Sequence, residues 1–234
     1  MTLPLEHRKV AFLTASGVEQ IELEAPLTSV RQAGATASIV SPRAGSIEAA
    51  HHRDGGDSFD VDVVAREVEP REFAALVIPG GARSIEALSS DADALALIRG
   101  FMELDRPVAV LGSACSLLAA ADVVRGRTVA APDDARASIE REGGTISARP
   151  VHRDQHLITS ASAENLPAFC GALIEHLGQL AANDRVDEAS EESSARLALW
   201  LHAATVAIMA TAAASLPNWD LISCSRDLGW SDAT

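Results

Sequence analysis

Tyrosine is absent from this 234-residue chain, and aromatic residues make up only 3% of it. A surface that stacks nucleic-acid bases needs exposed rings, so that class is excluded and the core must be aliphatic. Positive charge is scarce as well: 19 Lys and Arg stand against 33 Asp and Glu, a formal net charge of -14. A phosphate backbone demands a basic face, and nucleic acid is therefore not an expected partner. Cysteine is limited to Cys115, Cys170 and Cys224. With no CxxC and no His/Cys ligand spacing among them, neither a disulfide framework nor a zinc site is indicated, and no metal or cofactor is expected. The start, MTLPLEHRKVAFLTASG, passes from charged EHRK straight into a short strand-like run. It lacks an apolar signal core followed by a cleavage site, so the expected location is the cytoplasm.

What the chain does have is a 47% hydrophobic fraction, enough for a well-buried domain with an appendage. Short apolar runs alternate with helical patterns over residues 8–180. VAFLTA (10–15), ASIVS (37–41), AALVIPG (74–80), VAVLG (108–112) and HLITSA (156–161) read as strands. Most are continuous rather than alternating, as strands buried on both faces should be. Helical periods lie at 21–34, 92–104, 115–124, 135–143 and 166–180. Such alternation predicts a mostly parallel sheet between two layers of helices, with ligands at the carboxyl ends of the strands. Residues 46–63 read as a hairpin with Asp54-Gly55-Gly56 at its turn; the adjacent His51 and His52 are read as solvated loop histidines rather than metal ligands.

After Leu180 the composition changes. AANDRVDEASEESS is an acidic linker, and between Leu197 and Trp219 no Asp, Glu, Lys or Arg occurs. The predicted organisation is a domain over 1–182 and an acidic linker with an apolar helical extension over 183–234. Residues 197–219 are long enough to span a bilayer, but they are mostly Ala and Thr, contain His202 and have no basic flank. A helix packed on the domain or exchanged with a partner subunit is the preferred reading over a membrane span.

Three segments carry the chemistry. In PVAVLGSACSLLAAADVVRGR (107–127) a buried strand meets a helix through Gly112-Ser113-Ala114, a sharp turn whose tip faces unpaired helix amides. Such a place can lower a thiol pKa and hold an oxyanion. In VIPGGA (77–82) the bare backbone of Gly80 and Gly81 can present amides to an anion. In ASGVEQIELE, Glu19 and Glu22 stand at the entry to the first helix. All three fall at strand ends and are expected to converge on one crevice.

These segments, with KVAFLTASGVEQIELEAPLTSVRQAGATASIVSPRAG, ALVIPGG, the PVA…VVRGRT frame and LITS…LPAF, resemble the ThiJ/PfpI superfamily, in particular its PfpI-type branch of intracellular proteases, general stress proteins and deglycases. The resemblance covers about Arg8 to Leu180. It implies a flavodoxin-like sandwich, a homodimer or higher homo-oligomer, and a cysteine nucleophile at the elbow, followed by a histidine and hydrogen-bonded by a glutamate. Carried over residue by residue, the cysteine position holds Gly112 and the histidine position Ser113. The supporting glutamate matches Glu22, with Glu19 as the nearby alternative. An acid reaching over from a second subunit matches Glu86, and the oxyanion amides map to Gly81 and Ser113. Two further departures are Pro132-Asp133, where relatives have an aromatic-proline pair, and Ala161, where they often have Arg.

The expectation is a relative that has lost the covalent chemistry and binds a small carbonyl or anionic ligand above the elbow through Gly80, Gly81, Ser113, Glu22 and Glu86. The alternative is an active cysteine enzyme using Cys115 with Glu22. Cys115, however, lies three residues beyond the tip, rotated by about 300° around the helix, and reads more simply as a small packed residue. Ser113 lacks a local base, although His152 and His156 flank the last hairpin and could approach. Cys170 reads as core. A further alternative is an interaction module that docks through residues 193–219.

Overall fold

The computed structural model describes residues 3–51, 54–186 and 194–196. The chain divides into two compact units, Met1–Asn183 and Asp184–Thr234. Cys224 and the apolar stretch 197–219 lie outside the described residues. Among the described residues, no helix is long and apolar enough to cross a membrane.

In chain order the first unit runs through β1 (Lys9–Leu13), α1 (Gln20–Gln32), β2 (Thr36–Ser41), β3 (Ser46–His51), β4 (Asp54–Asp60) and β5 (Val63–Val64). It continues through β6 (Ala75–Ile78), α2 (Ala82–Ser89), α3 (Ala92–Glu103), β7 (Val108–Leu111), α4 (Cys115–Ala120), β8 (Thr128–Val129) and α5 (Asp133–Arg141). It closes with β9 (Thr145–Ile146), β10 (Val151–Asp154) and β11 (Leu157–Ser160), and a final helix, α6, occupies residues 166–186. The main sheet has seven strands in the order β10-β11-β7-β6-β1-β2-β5. All neighbours are parallel except β10 with β11.

The continuous apolar runs are explained by the pleat, which sends successive side chains to opposite faces. Ala11, Leu13, Leu76, Ile78, Val108 and Val110 pack with Ile85, Leu88, Ile98, Phe101, Leu117 and Ile139 of α2 to α5. Val10, Phe12, Val77, Ala109 and Leu111 pack with Leu23, Leu27 and Val30 of α1 and with Phe169, Cys170 and Leu173 of α6. The result is a three-layer, flavodoxin-like α/β sandwich with a mostly parallel sheet, as expected, and Cys170 sits in its core.

The structure departs from the sequence reading in three places. Asp54, Gly55 and Gly56 are not turn residues; they belong to β4, which pairs with β3 through a register shift between Glu48 and Ala50. A Cβ on Gly56 would come 3.0 Å from the Ala49 carbonyl carbon and even closer to the Gln20 side chain, so glycine is required there for close approach rather than for a turn. The helix after the elbow is short, ending at Ala120, before Asp122 with φ +55°. Finally, α2 has no counterpart in the helical periods read from sequence, because its eight residues carry only three buried positions, Ser84, Ile85 and Leu88.

Candidate functional site

The site begins with the loop after β1, which is held from two sides. Gly17 N–H donates to the Glu48 carbonyl and Ala50 N–H to the Val18 carbonyl, both at 2.7 Å, so the β3–β4 hairpin grips one side. Glu19 N–H donates to the Gly80 carbonyl at 3.1 Å on the other. Ser84 Oγ, buried on α2, accepts Ala15 N–H at 2.9 Å. The first residue of α1 is locked as well: Gln20 Nε2 donates to Asp57 Oδ2 at 2.7 Å, and Gln20 Oε1 accepts Asp57 N–H at 2.9 Å. Glu22 stands in this first turn. Pro26, one turn on, has no N–H for the Glu22 carbonyl and so loosens the helix on the site side.

The Pro-Gly-Gly turn after β6 meets Glu22 directly. Gly80 N–H donates to Glu22 Oε2 at 2.8 Å, and a Cβ on Gly80 would lie 2.6 Å from the same oxygen. Only glycine lets the backbone approach the carboxylate this closely. Gly81 has φ +116°, and a Cβ there would run into the Gly17 carbonyl oxygen, with Glu19 N at 2.6 Å and Val18 Cα at 2.7 Å. Gly81→Ala is accordingly expected to cost about 3 kcal/mol of stability in denaturant unfolding. Gly126→Ala also has positive φ but nothing within 4 Å of its Cβ, and should cost about 1 kcal/mol.

The elbow meets the same carboxylate. Gly112, buried, opens the 3₁₀ turn Gly112–Ala114 with φ +53°. A Cβ built on it falls 3.5 Å from both Glu22 oxygens, ordinary van der Waals contact. Elbow, Pro-Gly-Gly turn and first-helix glutamate therefore converge as the sequence suggested. Glu22 Oε1 has no hydrogen-bond partner among the described residues, whereas Oε2 is held by Gly80. Burial raises the Glu22 pKa above the ordinary carboxylate range; the Gly80 N–H opposes this and the Glu19 charge adds to it. Neither Gly81 N–H nor Ser113 N–H is taken up in the turn and loop hydrogen bonds of the described residues.

The other sequence candidates fall differently. Cys115 is fully buried in the core with α2 to α5, and its thiol donates weakly to the Ala130 carbonyl at 3.4 Å. Burial, then the charges of Glu22 and Asp134, push that thiol well above the ordinary thiol range. Ser113 is half-buried, and its carbonyl accepts the Ser116 hydroxyl at 2.8 Å. Glu86 is exposed on α2. His156 turns to α6, its Nδ1 3.3 Å from His176 Nε2, rather than toward the elbow. On the far side of that pair, Arg153 reaches His176 Nδ1 at 3.1 Å. The Nδ1 of His152 is buried without a hydrogen-bond partner. His51 is exposed, and His52 lies outside the described residues. No group of three His, Cys, Asp or Glu gathers to hold a metal among the described residues. Sequence reasoning missed Ser84 and the Gln20–Asp57 pair; the only available signal was a polar side chain in otherwise apolar or small-residue surroundings.

The DJ-1/PfpI family profile matches residues 8–176. The chain belongs to the DJ-1/PfpI family. Among the relatives, protein/nucleic acid deglycase 2 of Escherichia coli is 30% identical over 172 residues, covering 73% of this chain and 98% of that protein. A deglycase of Thermococcus kodakarensis is 33% identical over 153 residues, covering 60% and 89%. Among solved structures, a two-domain protein of Anabaena variabilis with DJ-1/ThiJ/PfpI-like and ferritin-like domains superposes with a TM-score of 0.69 at 25% identity. It covers 73% of this chain, which in turn spans 48% of that protein's length. A ThiJ/PfpI domain protein of Brachyspira murdochii superposes with a TM-score of 0.68 at 18% identity, covering 74% of this chain and 98% of its own. In this DJ-1/PfpI chain the Glu22 carboxylate meets both the Pro-Gly-Gly turn and the turn that opens on Gly112.

Proposed function

We propose that this DJ-1/PfpI protein binds a small carbonyl compound between the elbow and Glu22 and forms no covalent bond to it. The carrying observation is Gly112. Gly112, at the tip of the turn that would aim a nucleophile, has no side chain, and the nearest thiol, Cys115, is sealed in the core. A nucleophilic cysteine needs thiolate character and access; Cys115 has neither. Ser113 has no histidine beside it to act as base. The site favours a carbonyl over an anion, because an anion at the elbow would meet the Glu22 carboxylate, which already feels the Glu19 charge. The backbone of Gly80, Gly81 and Ser113 completes the binding surface, and the exposed Glu86 would meet it from a second copy in a homo-oligomer.

The test is alkylation and turnover on the full chain. Iodoacetamide near neutral pH, followed by peptide mapping, should leave Cys115 unmodified in the folded protein and label it only after denaturation. Methylglyoxal should be consumed no faster than in buffer containing the same concentration of an unrelated protein. Rapid stoichiometric labelling of Cys115, with methylglyoxal turnover that vanishes in Cys115→Ala, would establish the cysteine enzyme instead.

A further inference from the structure

We infer that a second ligand site, separate from the elbow, lies at the carboxyl ends of β1 and β2 and takes a small hydroxylated monocarboxylate of the sugar-acid class. Its basis is a cavity of about 550 Å³, a size typical of small-molecule sites. The chain leaves β2 at Ser41, passes Pro42 and Arg43, bends at Gly45 with φ +111°, and returns as β3 from Ser46. That loop lines one part of the cavity. Ser90 and Asp91, at the junction of α2 and α3, line another, and Ala15 and Ser16 of the loop after β1 complete it. The residues that meet at the elbow, Glu22, Gly80 and Gly112, do not line this space.

The fold leaves the polar groups of the cavity largely unused. Ser41 is buried, yet its hydroxyl bonds to none of the described residues. Among those residues the one sealed side-chain atom without a partner is His152 Nδ1, so Ser41 Oγ is reachable from the cavity. A hydroxyl held out of bulk water without a partner is a loss that a ligand group recovers. Ser16 Oγ accepts Glu48 N–H at 3.3 Å and keeps its own proton free. The N–H groups of Ser16, Arg43 and Ala44 are not taken up in the turn and loop hydrogen bonds of the described residues. The exposed Arg43 guanidinium has no ion pair or hydrogen bond among them either. Asp91 caps α3 by accepting Ala94 N–H on Oδ1 at 2.8 Å, which leaves Oδ2 as an open acceptor.

These groups select the ligand. Arg43, with N–H and serine donors beside it, matches one carboxylate. It is the single cation lining the cavity. Asp91 and a net charge of -14 oppose a second negative charge, so a monocarboxylate is favoured over a phosphate dianion. Serine hydroxyls both donate and accept, and Asp91 Oδ2 accepts. A row of ligand hydroxyls satisfies them, whereas an apolar acid would leave them unpaired. Ala15, Ile47 and Ala87 supply the apolar lining against which the C–H faces of such a molecule pack.

The experiment is isothermal titration calorimetry on the purified full-length chain with sodium D-gluconate, beside D-sorbitol, propionate, L-serine and D-glucose 6-phosphate. Gluconate is expected to bind saturably at one site. It should bind at least about 10-fold more tightly than sorbitol, which lacks the carboxylate, and than propionate, which lacks the hydroxyls. Arg43→Gln should weaken gluconate at least about 10-fold. Ala87→Leu adds bulk to the cavity from an exposed helix position and should abolish binding. Neither change removes a hydrogen bond of the fold, so both variants should melt with the parent. Gluconate binding should persist in Glu22→Gln, because the cavity and the elbow share no residue. The inference is overturned if gluconate gives no binding, if L-serine or glucose 6-phosphate binds more tightly than gluconate, or if binding survives both Arg43→Gln and Ala87→Leu.

Discussion

Replacing Gly112 with cysteine is expected to create a working enzyme, with methylglyoxal consumption rising about 100-fold or more over the parent chain. The backbone is already in place: Gly112 holds φ +53° at a strand-to-helix turn, the conformation a nucleophile elbow imposes on its residue. The new Cβ meets nothing closer than 3.5 Å, so the cost is the left-handed backbone alone, about 1 kcal/mol. The sulfur would lie within reach of the open Glu22 Oε1, which can take its proton. Iodoacetamide should then label residue 112 stoichiometrically in the folded protein, while Cys115 and Cys170 stay unmodified. A Gly112→Cys protein that folds, labels at 112 and still turns over nothing would show that the crevice lacks more than a thiol.

Glu22→Gln carries the second large effect, on stability as well as chemistry. The folded-state pKa of Glu22 is raised above its unfolded value by burial. Between those two pH values the native state binds the extra proton, so stability falls as pH rises. The penalty is absent below the ordinary carboxylate pKa and complete once pH exceeds the raised one. Glutamine keeps an oxygen for the Gly80 N–H at 2.8 Å but never ionises. The variant is therefore expected to unfold at a higher temperature than the parent at neutral pH, and the gap should close as pH is lowered toward 4. Differential scanning calorimetry across that range checks the sign. Stability gained together with carbonyl binding lost in the same variant would identify a functional, strained acid. A parent chain that grows more stable as pH rises over this range would contradict the burial argument.

Most of the sandwich could be read from the chain because its strands are buried on both faces, and VAFL, ALVI and VAVL therefore run apolar without a break. What escaped was short or half-polar: α2 and the two-residue strands β5, β8 and β9. In the site, the convergence of Glu22, Gly80 and Gly112 followed from their positions at strand ends. The clamps did not. Ser84 and Gln20–Asp57 join residues 69 and 37 positions apart, and only the folded topology puts them together. The burial of Cys115 agrees with the reading of a small packed residue three positions past the elbow tip. The direction of His156 depended on α6, one of whose residues, His176, lies 20 positions away.

The most direct test of the central claim is the rate of methylglyoxal consumption by the purified full chain in thiol-free buffer, measured beside Cys115→Ala. An elbow without a nucleophile predicts that both proteins match the uncatalysed rate. A wild-type rate well above that background, abolished in Cys115→Ala, would contradict it.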